Sequence, residues 1–313
     1  MLGKTAGGLY WMFRFLERSE NIARLVEAGF RIALTRSAAA EDEWASVIAT
    51  AGVRQAYLAR NDQFTAAGVV DFLLRDRTNP SSVMSVIDAA RNNAKLVRTA
   101  LTREVWEATN ECWMTINAVL KSPVSQTDLP DILATIRRQN ALVRGALSGT
   151  MLRNDIFNFA HIGTYVERAD STARILDVKY YVLLPSVSFI GSSLDNVQWE
   201  TILRSVSAQR AYRWLSDGVT DPRQIASLLI FDQRLPRSLA FCSSRISENL
   251  DALAQTYGTR LDCHRLTDEQ CGLFTRNSIE TIFESGLHQF LENFITCNNL
   301  LGAQIERDYR FNG

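Results

Sequence analysis

The amino-acid sequence predicts an all-α protein, and three observations carry that prediction. Only 6 prolines interrupt 313 residues. Ala, Leu, Arg and Glu fill long stretches that lack turn signals, which favours helix. No alternating apolar and polar run is bounded by hairpin turns, so no substantial sheet is expected. An apolar share of 46% and a charged share of 22% belong to a folded chain with a sizeable core, in one large domain or two.

The elements follow in order. Residues 9 to 36 form the first long helical pattern, with Trp11, Phe15, Ile22 and Val26 on one side beside Met12, Leu16 and Ala23. Glu17, Asn21 and Arg24 line the opposite side. A second helix is expected over 41 to 60 and a shorter one over 64 to 74. Asn79-Pro80-Ser81-Ser82 reads as a turn and a helix start, with Pro80 at the entry and the serines able to cap. Helices are then expected over 81 to 100, 102 to 121 and 128 to 148. In the second half, 185 to 196 is the best candidate connection, and a long terminal helix is expected over 279 to 306. Trp44, Tyr57, Trp106, Trp113, Trp199, Tyr212 and Trp214 are expected mostly in the core.

The second half echoes the first. Phe15-Leu16-Glu17-Arg18-Ser19-Glu20-Asn21-Ile22-Ala23-Arg24 resembles Tyr165-Val166-Glu167-Arg168-Ala169-Asp170-Ser171-Thr172-Ala173-Arg174. Trp44 and Ala56-Tyr57 correspond to Trp199 and Ala211-Tyr212, and Pro80 and Ser82 to Pro236 and Ser238. The matches keep their order, which predicts two tandem helical repeats, 1–150 and 151–313, packed as one unit about a pseudo-twofold axis.

Composition excludes several classes. The 34 basic and 34 acidic side chains cancel, so a general phosphate-backbone binder is disfavoured and no nucleic-acid partner is expected. No run approaches 18 apolar residues, so no membrane span is expected. The N-terminus lacks the basic-then-apolar pattern of a secretory signal. Five cysteines, at 112, 242, 263, 271 and 297, are odd in number and irregular in spacing, which points to a cytoplasmic protein with reduced thiols.

The doubled Glu-Arg helix is the strongest candidate site: Glu17, Arg18, Glu20 and Arg24 in one copy, Glu167, Arg168, Asp170 and Arg174 in the other. Glu20 and Arg24, and likewise Asp170 and Arg174, stand at i,i+4 and can pair. Arg18 and Arg168 fall at the edge of the apolar side, where each needs a buried partner. The stripe is either a polar clasp between neighbouring helices or, with both copies facing each other, the lining of a central cleft. No metal or other cofactor is expected. Glu17-x-x-Glu20 and Glu167-x-x-Asp170 lack the histidine of helical di-iron sites, and Cys263-His264 with Cys271 are zinc-like residues at poor spacing, expected in an ordinary loop. Phosphate-loop, dinucleotide-binding and nucleophile-elbow motifs are absent. Of the histidines, His161 replaces Trp11 of the first copy and is expected to pack. Arg91, with Lys95 and Arg98 at helical spacing, offers an anion contact or a solvated face, and Arg137, Arg138 and Arg144 do so more loosely.

From Leu9 to Glu306 the chain resembles the bacterial Alpha-E family, an all-helical domain with a Glu-Arg motif. The resemblance rests on Tyr165-Val166-Glu167-Arg168-Ala169-Asp170 and Leu176-Asp177-Val178-Lys179-Tyr180. Asn79-Pro80-Ser81-Ser82, Ala90-Arg91 with Asn93-Ala94, Val105-Trp106-Glu107 with Asn110, and Leu235-Pro236-Arg237-Ser238 support it. Asn92 and Lys95 stand where Glu and Arg are more usual, beside the candidate anion-binding residues Arg91 and Asn93. The resemblance implies an amide- or peptide-bond-forming system, with an ATP-grasp ligase and a transglutaminase-like peptidase as protein partners. The chain is then either an accessory or scaffold protein of that system, or an enzyme in which Glu17 or Glu167 does acid/base chemistry on an anionic substrate.

Overall fold

A computed structural model describes residues 1–35, 40–182, 193–216 and 220–311. Among these residues the chain is all-α, with fifteen α-helices and no strand. The first seven are α1 (Gly3–Thr35), α2 (Ala40–Thr50), α3 (Arg54–Leu58), α4 (Ala66–Leu74), α5 (Val83–Leu96), α6 (Arg103–Val119) and α7 (Leu129–Thr150). Next come α8 (Asp155–Val182), α9 (Ser193–Ser205), α10 (Gln209–Leu215), α11 (Pro222–Phe231) and α12 (Leu239–Tyr257). The last three are α13 (Asp262–Arg276), α14 (Ile279–Ser285) and α15 (Leu287–Asp308).

Helix starts follow local chemistry. Ser82 caps α5 by accepting the Ser85 N–H at 3.2 Å, and Ser238 caps α12 by accepting the Phe241 N–H at 3.0 Å. Two expected helices are each broken by a glycine in the left-handed region. Gly52, at φ 71°, separates α2 from α3 inside the expected 41–60 helix. Gly286, at φ 108°, splits the expected 279–306 helix into α14 and α15. Residues 185–192 of the expected 185–196 connection lie outside the described residues, and α9 begins at Ser193. Cys263, His264 and Cys271 lie on α13, not in a loop. His264 closes the start of that helix: its Nδ1 accepts the Leu261 N–H at 2.9 Å and its Nε2 donates to the Leu250 carbonyl at 3.0 Å.

Helix α1 is the centre of the molecule, packed against α8, α5 and α7. That placement buries it on nearly every side. Leu9, Met12, Phe13, Leu16, Ala23 and Val26 are buried, and so are Glu17, Glu20 and Asn21 on the polar side. Trp11 and Phe15 are only partly buried against the core. Helix α8 in turn packs on α12 and α15. The hydrophobic interior divides into two clusters that meet along α8, with Val166 in one and Ala169 in the other. The close crossing of α1 and α8 depends on Gly163, where a methyl group would run into the Tyr10 carbonyl. Trp44, Tyr57, Trp199 and Tyr212 are buried as expected, whereas Trp214 is 80% exposed.

Candidate functional site

The two Glu-Arg motifs sit on α1 and α8, and the crossing of these helices brings them together. Each arginine that follows a motif glutamate pairs with the glutamate of the other helix. Arg168 donates from Nε and Nη2 to the two oxygens of Glu17, both at 2.9 Å. Arg18 donates from Nε and Nη2 to the two oxygens of Glu167, at 2.5 and 2.9 Å. Both pairs are bidentate, the geometry in which a planar guanidinium fits a carboxylate best. The partner that Arg18 and Arg168 need is therefore the opposite helix, not a neighbour in sequence.

Each pair has further support. Arg14 donates to Glu167 at 3.1 Å. Arg237, at the entry to α12, donates to Asn21 at 2.9 Å and to Glu20 at 3.1 Å, and lies 3.1 Å from Glu17. Arg144 of α7 also bonds to Glu20. The i,i+4 pairs form within each helix: Arg24 with Glu20 at 2.6 Å and Arg174 with Asp170 at 2.7 Å. Arg24 then reaches Ser207, in the turn after α9, and Arg174 lies beside Gly52, in the turn after α2. Neither Arg14 nor Arg237 lies within the repeated Glu-Arg segments. The signal for Arg237 was present, since it occupies the place in Leu235-Pro236-Arg237-Ser238 that Ser81 has in Asn79-Pro80-Ser81-Ser82.

The electrostatics follow from burial and pairing. Burial alone would push the Glu17 carboxyl up. The Arg168, Arg237 and Arg144 guanidiniums outweigh it and hold Glu17 far below the usual carboxylate range. Burial likewise opposes ionisation of Glu167, and Arg18 and Arg14 overcome it, so this carboxyl is also lowered. Arg237 is buried, and that burial pulls its guanidinium down to about 10, which still leaves it charged at neutral pH.

One cavity of about 230 Å³ opens beside the clasp. Its polar wall includes Arg18, Asn21, Ser81, Glu167, Asp170 and Arg174. Asn21 is buried, and its Nδ2 has no hydrogen-bond partner there. The remaining candidates stand elsewhere. Arg91 donates to Asn110 at 2.9 Å and lies 3.9 Å over the Trp113 ring, while Asn93 donates to the Ala89 carbonyl at 2.9 Å. The Arg91 contacts join α5 to α6, the Asn93 bond stays within α5, and neither involves a residue of the clasp. Burial raises Cys112 and Cys242 to about 12, so neither is a thiolate at neutral pH. His161 lies tilted against Phe157 with ring centroids 4.0 Å apart, and burial lowers it to about 4, which keeps it neutral. Among the described residues no group of three His, Cys, Asp or Glu side chains is placed to hold a metal ion, and no helix is long and apolar enough to cross a membrane.

Comparison with known proteins gives the following. The Alpha-E model, described as a predicted alpha-helical domain with a conserved ER motif, matches residues 1–309. The chain is 21% identical over 299 residues to the uncharacterized protein Rv2567 of Mycobacterium tuberculosis, and equally to the uncharacterized protein Mb2597 of Mycobacterium bovis. Each alignment covers 90% of this chain and 33% of the relative, so the chain spans about a third of the length of these relatives. No solved structure matches.

Proposed function

The chain belongs to the Alpha-E family, and from that premise we propose that it is a cytoplasmic, non-catalytic accessory protein of an amide- or peptide-bond-forming system. It holds an ATP-grasp ligase, or a transglutaminase-like peptidase, in a working complex. The observation that carries this reading is the clasp. Its carboxylates are bound by bidentate guanidiniums and sit below the range in which an acid or base operates near neutral pH. Such a group orders helices and does not shuttle protons. We also read the chain as two related halves, 1–150 and 151–313, about a pseudo-twofold axis. Support comes from the exchange of partners between Glu17-Arg18 and Glu167-Arg168 and from the matching caps at Ser82 and Ser238.

A second reading, an enzyme that binds an anionic substrate on the same stripe, is favoured by one observation: the cavity that Arg18, Glu167 and Arg174 line. Co-expression with an ATP-grasp ligase separates the two. Co-purification, with ligated product retained by Glu167→Gln, is the expected result. A chain that neither associates nor alters product formation contradicts the accessory role. A complex that stays intact but loses its product in Glu167→Gln transfers the role to the enzyme reading.

A further inference from the structure

A second cavity of about 230 Å³ lies away from the paired carboxylates, where the C-terminal part of α1 meets α7, α9 and α10. Its charged wall consists of Arg24, Arg31, Arg137, Arg204 and Arg210 with a single carboxylate, Glu27. In a chain whose charges balance overall, this is a local concentration of one sign. Glu27 accepts from Arg31 at 3.0 Å and from Arg137 at 2.5 Å, so one carboxylate serves two guanidiniums. Arg204 draws on Glu200 at 3.4 Å. Arg24 draws on Glu20, which Arg144 and Arg237 also use. Arg210 makes no hydrogen bond or ion pair to any described residue. Gln209 adds a second unused donor: its Nε2 is buried at the same wall without a partner.

We propose that this cavity is a binding site for a phosphate-bearing small molecule, with a diphosphate-sized group as its best fit. The wall supplies donors and positive charge in excess of what the protein's own acceptors use. Crowded guanidiniums in a concave wall attract a counter-ion because the field adds there. The choice of phosphate rests on acceptor count. A carboxylate offers two acceptor oxygens and a single negative charge. Each phosphate adds three strong acceptor oxygens and close to two charges, which suits donors converging from four helices. The cavity is smaller than the roughly 300–1,000 Å³ clefts that enclose a whole drug-sized ligand, so it takes the charged group and leaves the rest of the molecule outside. This site is independent of the accessory role, because binding is a property of the chain alone.

Isothermal titration of the full chain with pyrophosphate at low salt tests the assignment. Two double variants accompany the unaltered protein. Arg204→Ala/Arg210→Ala removes two exposed wall arginines, and Arg260→Ala/Arg265→Ala removes two exposed arginines that do not line the cavity. The expected result is saturable binding that weakens about tenfold or more in the first variant, at unchanged melting temperature, and stays unchanged in the second. No binding at millimolar pyrophosphate overturns the proposal, as does equal weakening in both variants, which marks diffuse surface charge. Tighter binding of tetraglutamate than of pyrophosphate overturns it in favour of an acidic peptide.

Discussion

Glu17 shows what a buried carboxylate requires. It is 2% exposed and keeps its charge because Arg168 and Arg237 converge on it. Glu167 keeps its charge by the same device with Arg18 and Arg14. The pH dependence of stability follows from these depressed values. A glutamate in an unfolded chain titrates near about 4.3. Below about pH 5 the unfolded chain therefore takes up protons that folded Glu17 and Glu167 refuse, and the balance shifts toward unfolding. The contribution is fully present above about pH 5 and declines as pH falls toward and below 4. Urea midpoints measured from pH 7 to pH 3 should be level at first and then drop. In a Glu17→Gln/Glu167→Gln variant the drop should be shallower. An equally steep drop in that variant would assign the acid loss to other carboxylates.

At the scale of elements, much was legible and some was not. Helical periodicity and proline scarcity place α4, α5, α6 and α7 within about four residues of their ends. The Ser82 and Ser238 caps were readable because capping is a local matter of one side chain and the next turn. The breaks at Gly52 and Gly286 are not legible, because a single glycine does not announce whether its φ is positive. Cys263, His264 and Cys271 are ligand types by sequence, yet they sit on α13, where His264 serves as a cap. The site residues themselves were legible from their repetition. The exchange of partners between α1 and α8 was not, since it depends on how two helices cross, which no spacing within one helix encodes. Gly163 makes that crossing possible, and Gly163→Ala should cost roughly 1–3 kcal/mol by forcing the helices apart. Gly149→Ala, on α7 with nothing within 4 Å of the added methyl, should instead be neutral or slightly stabilising. Thermal denaturation of both variants checks the contrast, and equal effects would remove Gly163 from the crossing.

At the scale of the molecule, the clasp joins α1, α7, α8 and the start of α12 through a few charged groups at its centre. Replacing a buried ion pair with apolar groups is often harmless, whereas removing one member leaves the other charge stranded at about 3–5 kcal/mol. Glu17 and Arg168 act as one unit of this kind. A double-mutant cycle with Glu17→Gln, Arg168→Met and the double variant, read by urea denaturation, measures the claim most directly. Each single change should destabilise strongly, and the double variant should lose clearly less than the two losses combined. Additive losses would contradict the account, because they would mean that the two side chains meet without depending on each other.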